Sequence, residues 1–165
     1  MDAVTLAALA DFPIRLEAYY GIVPTEHKNW RPRSWEGVPS EPFTPIEQLC
    51  HVKDIEIDGY HVRFRRALQE NNPRLDSIDG EKLAGERNYA GADAAQILSA
   101  FAQARRETLA LIAKLSPSEL SRPAEFEGNA VTVRGLVHNL CSHDQQHLAG
   151  LQWLLARIAA SSAVG

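Results

Sequence analysis

Leu136-Val137-His138-Asn139-Leu140-Cys141-Ser142-His143-Asp144-Gln145-Gln146-His147-Leu148 lies in a run, residues 133 to about 160, that holds no proline and reads as the longest apolar helix of the chain. Its buried stripe is Leu136, Leu140, His143, His147, Leu151, Leu154 and Ile158. Those residues follow one another in steps of three and four, the spacing of a single helix face. Two of the seven are imidazoles where leucines would serve packing better. Four residues advance an α-helix by about 400°, so the two rings project from one face about one turn apart. A d-block ion accepts imidazole nitrogen at about 2.0–2.1 Å. The pair therefore reads either as two ligands of one metal or as two partly buried, hydrogen-bonded histidines.

A third imidazole is available upstream. Thr44-Pro45-Ile46-Glu47 opens a second helix with Thr at the N-cap, Pro at the first helical position and Glu three residues after the cap. That helix should run to about Glu70 or Asn71, where Asn71-Asn72-Pro73 ends it. Gly59 inside it is a place for local weakening or bending. His51 lies about two turns from the cap and shares a face with Glu47, Asp54, Ile55 and Asp58. If this helix neighbours the last one, His51, His143 and His147 make a three-imidazole site. Three protein ligands leave positions open for water or substrate, the catalytic rather than the structural pattern. Asp54, Asp58 and Asp144 are candidates to orient the ligands, although a solvated or N–H-pairing role is the plainer reading of each.

The other histidines read as non-ligands. On an α-helix His138 points about 140° away from His143, and His61 about 80° away from His51. His27 falls in a proline-rich loop. Cys50 and Cys141 are rotated away from the neighbouring histidines and read as small buried hydrophobes. The segment from His143 to His147 lacks the Glu after the first His that a zinc-protease helix requires. Neither a phosphate-cradling glycine loop nor a nucleophile elbow is present.

Two more helices complete the pattern. The first should run from Val4 or Leu6 to Ile22, with Pro13 either kinking it or marking its start. Another is opened by Asp93 as N-cap, with Ile97, Phe101, Ala104, Thr108, Leu111, Ile112 and Leu115 inward. A short capped turn at Ser116-Pro117-Ser118-Glu119 follows, then a turn at Gly128-Asn129, and Thr132 can cap the last helix. Residues 24–43 form a long loop carrying Trp30, Arg31, Arg33 and Trp35, which could shape a pocket mouth or simply pack. Residues 74–91 read as a second, polar loop. Strand signals are weak, because no clean alternation exceeds a few residues. The expectation is an all-α four-helix bundle with a long first crossover loop, one domain over residues 1–160, and a flexible tail at 161–165.

Composition agrees with a globular bundle: of 165 residues, 45% are apolar and 23% charged. The net charge of -4 argues against nucleic acid or an anionic membrane as partner. Arg63, Arg65 and Arg66 form a small basic cluster, which reads as a solvated helix face among acidic residues. Two cysteines make no disulfide framework, and there is neither a leader pattern nor a run of spanning length, so the expected location is the cytoplasm.

The segment Phe43-Thr44-Pro45-Ile46-Glu47-Gln48-Leu49-Cys50-His51-Val52-Lys53-Asp54 resembles the second-helix motif of DinB-like (damage-inducible) proteins, a Ser/Thr-Pro cap ahead of the first metal histidine. The segment from Leu136 to Leu148 resembles the last-helix motif of the same family, with its paired histidines. The likeness extends over nearly the whole chain in helix order and length. It implies a DinB-like four-helix bundle holding zinc or nickel at His51, His143 and His147. It also implies a homodimer and a small-molecule substrate. Related families include thiol-dependent S-transferases and isomerases that use a low-molecular-weight thiol, and metal-dependent hydrolases. The family name implies no contact with DNA. A non-catalytic bundle, metal-stabilised or metal-free, is the alternative.

Overall fold

Each helix begins where a side chain can satisfy its free N–H groups. In the computed structural model, which describes residues 1–162, α1 (Ala3–Gly21) starts at Asp2, whose carboxylate accepts the Thr5 N–H at 2.8 Å. Pro13 lies inside α1 without ending it. At α2 (Pro45–Asp54) the Glu47 carboxylate accepts the Thr44 N–H at 2.8 Å, as a capping box requires. The rod then passes through one π-helical turn, Ile55–Tyr60, before resuming as α3 (His61–Gln69). Gly59, expected to weaken the helix, falls within that turn. Asp93 caps α5 (Ala94–Ile112), and Thr132 accepts the Gly135 N–H at 3.1 Å at the start of α7 (Val133–Ser162).

Two expectations about the connections need correction. Residues 74–91 are not a structureless loop: they hold strand β1 (Arg74–Leu75), helix α4 (Gly80–Glu86) and a 3-10 turn at Tyr89–Gly91. Strands are also present. After the short α6 (Pro117–Leu120), β2 (Pro123–Phe126) and β3 (Asn129–Thr132) pair antiparallel, with β1 parallel to β2 on the other side. Glu127 and Gly128, at φ 51° and 75°, make the tight turn that two-residue hairpins favour. Strands of two to four residues are too short to show an alternating pattern. At the other end α7 stays helical through Ser162, so part of the expected tail belongs to the helix. Residues 163–165 lie outside the described residues.

Both α1 and α2 pack on α5 and α7, which puts the first two helices across the bundle from each other. The long 22–44 connection makes that crossing. Apolar burial falls into two clusters. One gathers Leu9, Phe64, Ile112, Leu136 and Leu140, and the other Phe12, Leu16, Leu49, Phe101 and Leu151. A buried polar layer separates them. Arg105, 1% exposed, donates to Glu56 at 3.0 and 2.9 Å, to Asp144 at 2.6 and 3.0 Å, and to the Leu9 carbonyl at 3.0 Å. Thr108 adds a hydroxyl to Glu56. Burial opposes the Arg105 charge, but Asp144 and Glu56 outweigh it and hold the guanidinium above its ordinary pKa.

Removing one member of such a layer strands the others as buried charges. Arg105→Met should therefore lower unfolding free energy by about 3–5 kcal/mol, read as a shift of the urea midpoint.

Candidate metal centre

The stripe of α7 and the last full turn of α2 face each other, and they bring the three expected histidines together. One ring nitrogen from each of His51, His143 and His147 lies within 4.8 Å of the other two. His51 and His147 are buried, and His143 is partly exposed. The ring centroids are 4.4 to 5.4 Å apart, and the Nε2 atoms of His51 and His143 are 3.3 Å apart. Nitrogens set tetrahedrally at about 2.0–2.1 Å from one ion are about 3.3 Å from each other.

Neighbouring groups fix the rings. Gln48 donates its amide to Ser40 Oγ at 2.9 Å and to the Phe43 carbonyl at 3.3 Å, which turns its carbonyl oxygen toward His147 Nδ1 at 2.5 Å. His147 Nδ1 is therefore the protonated nitrogen, and Nε2 keeps its lone pair. Phe43 packs on the His51 ring at 4.9 Å between centroids. Gly80, the first residue of α4, closes the other side: a Cβ there would lie 2.7 Å from His51 Cε1. His51 Nδ1 and His147 Nε2 are sealed from solvent and have no hydrogen-bond partner. His147 Nε2, buried and orphaned beside the facing Nε2 atoms of His51 and His143, fits a d-block cation. Burial, then the charge on neighbouring imidazoles, holds His143 well below the ordinary imidazole pKa and takes His51 down to about 3. The His51 and His143 rings are thus neutral and able to donate lone pairs.

The centre opens on a cavity of about 530 Å³ lined by His51, His143, Glu41, Tyr60, Arg63 and Phe126 among others. Glu41, from the long loop, places Oε2 3.1 Å from His147 Nε2, off the line of a hydrogen bond, and Oε1 3.7 Å from His51 Nε2. Contact with His147 holds its carboxyl down at about 2. Nothing in the pattern of a proline-rich loop marks Glu41, and only the folded loop brings it here. Arg63 is a correction: expected on a solvated face, it is 5% exposed and lines the cavity.

The remaining expectations sort by contact. Asp54 accepts from Tyr89 at 2.5 Å and pairs with Arg87 at 2.8 Å, Asp58 pairs with Arg87 at 2.7 Å, and Asp144 pairs with Arg105. None of these contacts orients a site histidine, and Asp54 and Asp144 are buried ion pairs rather than solvated. His61 meets Ala104 O and Thr108 Oγ1, His138 meets Thr5, and His27 lies beside Glu26. Trp35 stacks on Trp153 at 6.1 Å and Arg31 binds Glu47 at 2.8 Å. Trp30, Arg31, Arg33 and Trp35 do not line the histidine cavity. Cys50 is buried and Cys141 half-buried; both thiols are free, and burial pushes Cys50 up to about 12 and Cys141 upward.

The family model described as the DinB superfamily matches residues 8–151. No curated protein matches the chain. Among solved structures, the chain is similar to YfiT from Bacillus subtilis, described as a probable metal-dependent hydrolase with an unusual four-helix bundle topology. That similarity has a TM-score of 0.83 at 17% identity and covers 96% of this chain and 90% of YfiT. It shows a shared bundle fold.

The depressed imidazoles set a pH dependence. His51 is about 3 when folded against an ordinary 6.5, so between those values the unfolded chain binds a proton that the folded chain does not. The metal-free protein should lose stability as pH falls through that window, by up to about 1.4 kcal/mol per pH unit for each such ring. Urea melts in chelator at stepped pH check this, and His51→Gln should flatten the slope.

Proposed function

This chain belongs to the DinB superfamily, and we propose that it is a metal-dependent enzyme whose centre is held by His51, His143 and His147. The observation that carries the reading is a set of three converging imidazole nitrogens, one of them, His147 Nε2, buried without a hydrogen-bond partner, beside an open cavity that His51 and His143 line. The description of YfiT as a probable metal-dependent hydrolase supports it. Zinc or nickel suits an all-imidazole donor set. When bound, such an ion supplies Lewis acidity that lowers the pKa of a water or a low-molecular-weight thiol. The reaction class is hydrolysis or thiol S-transfer.

The residues divide the remaining work. Gln48 holds the proton on His147 Nδ1, which keeps Nε2 turned inward. Phe43 and Gly80 clamp the His51 ring between them. Glu41, ionised and half-exposed at the rim, is placed to accept a hydrogen bond from a water or thiol entering the site and so to orient it. The substrate is a small molecule, since the cavity is of small-ligand size. A cytoplasmic homodimer that binds neither nucleic acid nor membrane completes the reading. The net charge of -4 supports the part that concerns nucleic acid and anionic membranes, and no helix among the described residues is long and apolar enough to cross a membrane.

Elemental analysis of purified protein should find about one zinc or nickel per chain. His51→Ala, His143→Ala and His147→Ala should each reduce metal content at least about tenfold, whereas Glu41→Gln should keep the metal and lose turnover. Undiminished metal in all three histidine variants would defeat the assignment. Gly80→Ala should keep native helicity by circular dichroism yet weaken metal affinity about tenfold or more, because its methyl group displaces the His51 ring.

A further inference from the structure

Two arginines are almost completely buried in this bundle, and their surroundings differ. Arg105 has two carboxylates. Arg63, 5% exposed, has no carboxylate within ion-pair range among the described residues. Its Nε and Nη2 donate to one backbone oxygen, Asp76 O, at 3.3 and 3.1 Å. Its guanidinium lies 4.4 Å from the Phe126 ring centre and 4.9 Å from that of Tyr60. Nearby carboxylates are engaged elsewhere: Asp76 pairs with Arg66 at 3.2 Å, and Glu127 accepts from Ser77 at 2.7 Å. Nη1 hydrogen-bonds no described residue, and Arg63 lines the same cavity as His51 and His143.

A buried cation without a counter-ion is expensive, and burial accordingly pulls the Arg63 pKa below its ordinary value. The fold nevertheless builds room for it. A Cβ on Gly59 would lie 3.0 Å from Arg63 Nη1, so the glycine in the π turn leaves the guanidinium its place. One turn before Arg63, Tyr60 lines the cavity with a hydroxyl that hydrogen-bonds no described residue; burial raises its pKa, so it remains a donor. A planar fork with free N–H groups beside a hydroxyl donor matches a planar, singly charged carboxylate. Glu41 and Glu127, also on the lining, disfavour a more highly charged phosphate.

We propose that this cavity recognises a carboxylate-bearing small molecule, anchored by its carboxylate at Arg63 and Tyr60 with its reacting end toward His51 and His143. The orientation rests on the three-histidine reading, whereas the anchor does not. The pair of probes is mercaptopropionate and mercaptopropanol, alike in length and differing in charge. Each is titrated into cobalt-loaded protein and followed by the sulfur-to-cobalt charge-transfer band. The acid should bind about tenfold or more tightly than the alcohol. Arg63→Gln should bring that ratio to about one, Arg63→Lys should restore part of it, and Tyr60→Phe should reduce it severalfold. Equal affinities in the unaltered protein, or a preference that survives Arg63→Gln, would overturn the anchor. If Arg63→Gln does not fold, an undiminished preference in Tyr60→Phe together with Arg63→Lys overturns it, and a reduced one upholds it. Should the protein take up no cobalt, the three-histidine reading falls by itself, and calorimetry with succinate on the metal-free protein decides the anchor. Heat of binding that disappears in the Arg63 variants supports it, and no binding in the unaltered protein ends it.

Discussion

A single guanidinium touches all four long helices of the bundle. Arg105 belongs to α5 and reaches the Leu9 carbonyl of α1, Glu56 in the π turn after α2, and Asp144 on α7. It is the hinge of the arrangement because directional bonds fix rotation and register, whereas apolar contacts tolerate slippage. Apolar clusters lie on either side of this layer, so the layer decides how one end of the bundle is phased against the other. The choice is a demanding one. Fully paired, such a layer specifies one packing; half-paired, it is worse than leucine.

The histidine site inherits that register. Asp144 follows His143 directly, and Glu56 lies five residues after His51, so both histidine-bearing helices are clamped to α5 within about a turn of their ligands. Rings held by Gln48, Phe43 and Gly80 on one side and by helix register on the other keep their geometry without relying on a ligand. Pre-positioning of this kind limits the reorganisation that binding would demand.

Much of this was legible from residue spacing. The i, i+4 pair on a leucine stripe placed His143 and His147 correctly, and a proline-headed capping box phased α2 well enough to bring His51 to them. Helix bounds came from caps, a local signal. What stayed hidden depended on longer-range or irregular geometry. Arg105 occupies an inward position of α5, but a charged residue there is conspicuous only once Glu56 and Asp144 are seen opposite. Arg63 was misplaced because charge alone reads three neighbouring arginines as a solvated face, whereas the π turn at Ile55–Tyr60 resets the helical phase for everything after it. That same reset puts Tyr60 and Arg63 on the cavity wall. Glu41 reaches the site through a loop fold that no periodicity encodes. The three strands were too short to register as a pattern at all.

The two sulfurs of the chain sit beside the histidine helices in sequence, yet both are kept as un-ionised thiols, Cys50 within apolar surroundings and Cys141 on the far side of its helix. A thiol that holds its proton is a poor partner for a soft metal. The chain thereby denies copper(I) and its kin the softer donors they select, and leaves only borderline nitrogen bases to choose among the ions a cell offers. Discrimination of this sort comes from what is withheld: the residue immediately before His51 could have made the site a thiolate one, and the direction in which its side chain is packed keeps it out.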